Sequence, residues 1–289
     1  MSDGTLHLEI RPAAPPRAVH RALTDAQALR TWLAENAEVS PAAGRFAFWG
    51  GTTPQGDRAH QRLLAVEEDR LRFEWILDGT STVVEIALEP GGEEGAVLHL
   101  RQDGLPTLEQ LMAPTGRRDG LHSMHTFWGL ALARLTEHVE GRPLTPGADF
   151  RPDRPLEIRA RVEIAAPREA VFASLVDPEQ IARWFGWEVE LDARVGGSTT
   201  FGLEGTVDEV EPGRALAWSD AEGARIRWEL EESGGGTVLT FLQTGYLEDE
   251  RDSAAQHEAG WLAALAELAR LHALGDDWTP LLTELPADH

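Results

Sequence analysis

Ten histidines are the only side chains able to titrate near neutral pH in this chain of 289 residues, which has no cysteine and no lysine. Without cysteine there are no disulfides, thiolate metal sites or thiol nucleophiles. Without lysine there is no Schiff-base chemistry and no phosphate-loop lysine. What remains is acid–base work by imidazole or carboxylate and hydrogen bonding by amides. His272 sits on a stripe with Trp261, Leu265 and Leu268, spaced 4, 3 and 4. A histidine there is either a hydrogen-bonded core residue or a single general base. His257 opens the same segment. His122 and His125 are three apart, but no acidic residue at a ligand spacing joins them and HExxH is absent, so no metal site is expected. "WGGTTPQG" is glycine-rich yet is neither GxGxxG nor a phosphate loop, and no GxSxG occurs. No catalytic residue is assigned. Gln102 and Gln243 occupy matching places at the polar end of an apolar strand face. There an amide can orient a ligand carbonyl or hydroxyl, or satisfy turn backbone groups.

The elements that must position these residues come in two copies. "ALTDAQALRTWL" (22–33) and "SLVDPEQIARWF" (174–185) each place an Asp seven residues before a Trp, 152 residues apart. "AAPPRAV" stands above "AAPREAV" at the same offset. "LHLRQDGL" stands above "LTFLQTGY" at an offset of 141, and Trp128, Leu132, Leu135 and Val139 above Trp261, Leu265, Leu268 and His272 at 133. Order is kept while the offset shrinks, as duplication followed by loop-length change would leave it. Each copy reads as a strand, two short helices, several strands and a long helix. Asp25 and Asp177 are expected to cap the second helix. Ile226, Trp228 and Leu230 alternate with charged residues, the signature of a half-buried strand. The 4-3-4 stripe predicts that the last helix lies on the apolar face of an antiparallel sheet.

Composition limits the partners. Apolar residues make up 42% of the chain, enough for two cores, and the formal net charge is −23. Such a surface repels nucleic acid, which is therefore not expected as a partner. No run of about 18 apolar residues predicts a membrane span, and the N-terminus does not read as a secretory signal. With no cysteine, the expectation is a cytoplasmic, bacterial-style protein. All 26 basic residues are arginine, which a GC-rich genome explains.

"AAPREAVFASLVDPEQIARWF", "VGGSTTFG", "GTVDEVEPGRALAWSD", "GGGTVLTFLQTGY" and "GWLAALAELARL" occur in that order. Together they resemble the START-like (SRPBCC) proteins grouped with the activator of heat-shock-protein-90 ATPase. The match runs from about Glu157 to Leu274. The first copy resembles the family less closely, with "AAGRFAFWGG" in place of "RVGGSTTFG" and an insertion-like "PTLEQLMAPTGRRDG". The resemblance implies an α+β protein of two tandem helix-grip (START-like, birch-pollen-allergen-like) domains, each a curved antiparallel sheet gripping a long C-terminal helix. The expected layout is a divergent domain over 1–143, a linker over 144–155, a second domain over 156–275 and a tail over 276–289.

The same resemblance implies a mostly apolar cavity between sheet and helix. In the second copy the candidate lining is Phe201, Trp218, Trp228, Phe241, Gln243, Trp261, Leu265, Leu268 and His272. In the first it is Phe48, Phe73, Trp75, Leu100, Gln102, Trp128, Leu132 and Leu135. The function expected first is non-enzymatic binding of a small apolar, lipid- or polyketide-like molecule, with no cofactor. The alternative is a polyketide-type cyclase or hydrolase using His272 or His257. The further alternative is a co-chaperone-like module with a protein partner, whose surface would need a basic patch. A degenerate first copy would serve mainly as a packing partner. Fold alone does not choose among these.

Overall fold

Alternation decides the opening strand of each half. In β1 (Gly4–Ile10) Leu6, Leu8 and Ile10 are buried, and in β8 (Ile158–Ile164) Ile158, Ala160, Val162 and Ile164 are. One face of each strand therefore meets a core and the other meets water. This computed structural model describes residues 4–92, 95–107, 110 and 120–285. The insertion-like stretch at 106–120 lies mostly outside the described residues.

Helices α1 (Pro16–Thr24) and α2 (Ala26–Trp32) follow β1, and α4 (Arg168–Val176) and α5 (Pro178–Phe185) follow β8. As expected, Asp25 accepts from the Ala28 N–H at 2.8 Å and Asp177 from the Glu179 N–H at 3.0 Å, capping α2 and α5. The indole Nε1 of Trp32 donates to the Ala22 carbonyl and that of Trp184 to the Ser174 carbonyl, both at 3.0 Å. The recurring Asp–Trp spacing thus has a cause: the aspartate starts the second helix, and the tryptophan bonds it back to the first.

The remaining strands of the first half are β2 (Asn36–Ser40), β3 (Arg45–Trp49), β4 (Gln61–Val66), β5 (Arg70–Leu77), β6 (Thr80–Pro90) and β7 (Ala96–Leu105). Those of the second are β9 (Ser198–Thr199), β10 (Gly205–Glu211), β11 (Ala215–Ser219), β12 (Arg225–Ser233) and β13 (Gly236–Thr244). One sheet runs β14-β1-β7-β6-β5-β4, where β14 (Leu282–Glu284) comes from the far end of the chain. The other runs β8-β13-β12-β11-β10-β9, while β2 and β3 pair as a separate hairpin. All pairings are antiparallel, and each half closes with a long helix, α3 (Met124–Val139) and α6 (Arg251–Leu274). The α+β helix-grip class expected from the sequence is the one observed. No helix among the described residues is long and apolar enough to cross a membrane.

The chain divides into two units. The first takes residues up to Arg154, Ala255–Gly260 and those from Leu281 onward; the second takes Pro155–Ala254 and Trp261–Pro280. In the first unit, the outer edge of β1 is covered by β14 in the register Leu8–Glu284, Glu9–Thr283, Ile10–Leu282, with the Leu285 N–H reaching the His7 carbonyl at 2.8 Å. Arg154, only 2% exposed, also lies in this unit and bonds Glu258 at 3.1 Å.

Each closing helix carries an Arg/Glu pair that ties down the segment after it. On α3, Arg134 donates to the Trp32 carbonyl at 2.8 Å and to that of Thr145, while Glu137 accepts from the Thr145 N–H and hydroxyl, both at 2.7 Å. Burial pushes the Glu137 carboxyl up, against the lowering effect of those Thr145 bonds. On α6 the signs are exchanged at the same two positions. Glu267 accepts from the Trp278 indole at 3.0 Å, and Arg270 donates to the Thr279 carbonyl at 2.6 Å.

Candidate functional site

Strand register brings the expected residues together in ranks. In the second unit Trp218 lies opposite Ile226, which lies opposite Gln243; the next rank is Leu216, Trp228, Phe241. In the first unit the same ranks are Phe73, Val84, Gln102 and Leu71, Ile86, Leu100. The helix stripe covers them: Leu132, Leu135, Leu265 and Leu268 are each at most 1% exposed, and Trp128 and Trp261 are buried. All sixteen expected lining residues other than His272 are buried between sheet and closing helix.

Both glutamines make the same bond. Trp128 Nε1 donates to Gln102 Oε1 at 2.7 Å, and Trp261 Nε1 to Gln243 Oε1 at 2.8 Å. The amide therefore satisfies an indole from the closing helix, rather than the turn backbone that the sequence left open as an alternative. Gln102 is tied further, its Nε2 donating to Thr82 Oγ1 at 3.0 Å and that hydroxyl to the Trp75 carbonyl at 2.8 Å. At Thr82's register position the second unit has Ala224.

The ring packing separates the units. In the first, Phe48 meets Trp75 at 5.0 Å and Phe73 at 6.0 Å, both edge-on, and Trp75 meets Trp128 edge-on at 6.0 Å. Phe48 belongs to β3, paired with Ala37 of β2, and its N–H bonds Gln61 Oε1 at 3.1 Å. In the second, Phe201 stacks on two indoles, 5.4 Å from Trp218 at 26° and 5.6 Å from Trp228 at 15°, and meets Trp184, Phe185 and Trp261 edge-on at 5.7, 5.0 and 5.7 Å. Phe185, absent from the expected set, stacks on Trp261 at 5.3 Å. Phe201 is carried by a loop, residues 200–204, whose ends Thr199 and Gly205 are paired. Within it, the Phe201 N–H bonds Thr199 Oγ1 at 3.0 Å, and Gly202 has φ of +70°.

Trp218 Nε1 and Trp228 Nε1 are buried and find no hydrogen-bond partner among the described residues; the same holds for Trp75 Nε1 in the first unit. The second-unit pair stands where the first unit has Phe73 and Ile86. A comparison of the copies rank by rank could have singled it out, but the ranks depend on register, which the sequence does not print.

A polar concavity of about 900 Å³ borders the Phe201 loop, lined among others by Thr199, Thr200, Glu204 and Gly205. A smaller one of about 660 Å³ flanks β3 in the first unit. His272 is half-buried and its Nε2 lies 3.2 Å from Ser174 Oγ; desolvation lowers its pKa. The first copy has Val139 and Ala22 at these two positions, so a polar pair has replaced an apolar one. His257 is exposed on α6, His122 sits in a 3-10 turn and His125 on α3. No group of three or more potential metal ligands occurs among the described residues.

A family model described as "Activator of Hsp90 ATPase homolog 1-like protein" matches residues 13–140 and again 165–273. No curated protein matches. Among solved structures, the Aha1 dimer from Colwellia psychrerythraea is similar at 20% identity and a TM-score of 0.38, covering 42% of this chain and 99% of its own. Protein MLL2253 from Mesorhizobium loti is similar at 22% identity and a TM-score of 0.37, covering 42% and 98%. DynU16, from the dynemicin biosynthetic locus, is similar at 18% identity and a TM-score of 0.33, and spans 93% of this chain and 98% of its own.

Proposed function

The chain belongs to the Activator of Hsp90 ATPase homolog 1-like family, whose domain it carries twice, and from that premise we propose that it is a binding protein whose second unit receives a small, mostly apolar molecule between sheet and closing helix. One observation carries this reading: the unpartnered indole N–H groups of Trp218 and Trp228 in an otherwise apolar interior. A buried donor without an acceptor costs about 1–3 kcal/mol, and buried indoles ordinarily find one. A ligand bearing an acceptor oxygen satisfies them. Its apolar surface gains about 25 cal/mol for each Å² removed from water. Among the described residues the first unit offers a single such indole donor, Trp75 Nε1, and reads as the weaker receptor.

The cyclase or hydrolase alternative would rest on His272 or His257, and His272 Nε2, 3.2 Å from Ser174 Oγ, has a pairing that such chemistry uses. The unpartnered indoles of the interior favour binding, so binding without turnover is the reading put first. Native mass spectrometry of freshly purified protein, followed by organic extraction, tests it. The expected result is a reproducible extra mass lost on denaturation, and loss of that mass in the Trp218→Phe/Trp228→Phe variant. A bare polypeptide mass, with no thermal shift across a panel of apolar carbonyl compounds, would overturn it.

A further inference from the structure

We propose that Phe201 is a resident plug in a slot walled by aromatic rings, and that the ligand displacing it is a neutral planar arene carrying an acceptor oxygen. This deepens the receptor reading and rests on it. The first support is geometric. Phe201 stacks on Trp218 and on Trp228 at interplanar angles of 26° and 15° and meets Trp184, Phe185 and Trp261 edge-on, so the place it fills is walled by rings, as a receptor for an arene would be. The ring comes from the protein itself, so the slot is filled without any use of the two indole donors, which a hydrocarbon side chain cannot satisfy.

The second support is the tether. Phe201 has no strand partner; it rides on a loop closed at Thr199 and Gly205. Its neighbour Gly202 has φ of +70°, and a Cβ there would fall 2.3 Å from Trp261 Cζ2. Only glycine lets the loop pass beneath that indole, and glycine also leaves the backbone free to swing the ring outward. Hinges of loop closure are often built so.

The third support is the charge beside the loop. The concavity at the foot of this loop is lined by Glu190, Glu204, Asp208, Asp220 and Glu222 as well as by threonines. Arg225 neutralises part of this charge through Asp208 at 2.8 Å. The remaining field disfavours anions, so an oxygen that meets either indole belongs to a neutral carbonyl or ether.

The test uses the full chain and two probes of similar size, acetophenone and cumene, which differ in carrying an acceptor oxygen or a methyl group. Calorimetry should show Phe201→Ala binding acetophenone at least tenfold more tightly than the unaltered protein, and preferring it to cumene about fivefold. Adding Trp218→Phe and Trp228→Phe should erase the preference while cumene still binds. Equal affinity for both probes would overturn the ligand class, and equal affinity of Phe201→Ala and the unaltered protein would overturn the plug. If that equality accompanies an extra mass in native spectra, the plug fails and the receptor survives; if neither probe binds and the mass is bare, both fail. Should Phe201→Ala not fold, acetophenone must shift the Trp218 and Trp228 indole N–H resonances of the unaltered protein. Unmoved resonances at saturating probe would overturn the proposal.

Discussion

The first unit holds its central ring in a strand, and the second holds its ring in a loop. Phe48 is fixed by hairpin pairing with Ala37 and by Gln61, and it meets its neighbours edge-on. Phe201 stacks on two indoles, meets three further rings edge-on, and rides on a loop held by its own N–H to Thr199 and by Thr200 to Glu190. One frame, written twice, thus presents its interior in two ways: locked by strand pairing, or filled by a ring whose residue has no strand partner. The difference teaches that burial alone does not define a core position. What the backbone does beside the side chain decides whether the side chain can leave.

Breaking the rings should give the largest contrast. Phe48→Ala is expected to cost about 3–5 kcal/mol, the usual range for a buried aromatic. Phe201→Ala should cost clearly less, because its loop can relax into the space. Urea unfolding of each variant measures both, and the reverse order would erase the distinction between locked and hinged rings. The glutamines come next. Gln102→Leu leaves the Trp128 N–H without an acceptor in a site that is 0% exposed and should cost about 2 kcal/mol. Gln243, at 7% exposure and without a threonine behind it, should cost about 1 kcal/mol as leucine. Equal midpoint shifts would show that the Thr82 link adds nothing.

A smaller effect is expected where the indoles carry no bond. Trp228→Phe should change stability by no more than about 1 kcal/mol, since relief of an unpaired donor offsets the packing lost with the larger ring, yet it should weaken retention of any extracted compound. Smallest of all is the effect of the polar pair on α4 and α6. Desolvation holds the His272 pKa below the ordinary imidazole value, so unfolding takes up a proton there as pH falls. The stability it contributes is complete above the ordinary value and is lost as pH drops through the lowered one. Ser174→Ala with His272→Val, the residues of the first copy, should flatten the stability profile in that window. An unchanged slope would mean that the pair is indifferent to folding.

Much of the frame was legible because it rests on local rules. Asp25 and Asp177 cap helices through side-chain chemistry that is visible in a short window, and Ile226, Trp228 and Leu230 show their strand by period. The candidate site was legible as a set of buried positions and no further. Phe201 belonged to that set, but its flat stacking depends on a loop closed by the Thr199–Gly205 pair, which periodicity does not encode. The Gln–Trp bonds join strands to helices 18 and 26 residues later, a distance at which spacing says nothing about contact. The exchanged Arg/Glu pairs on α3 and α6 were equally hidden, because charge on a helix face looks the same whether or not a backbone carbonyl awaits it.

Strand β14 sets an order of events in biosynthesis. The outer edge of β1 emerges from the ribosome long before its pairing partner, Leu282–Glu284. Until that partner follows, the edge has bare amide and carbonyl groups, the kind of surface on which nascent chains pair wrongly. A chain ending after Pro280 would keep that bare edge permanently. Its misfolding would begin at the opposite end of the sequence from the cut.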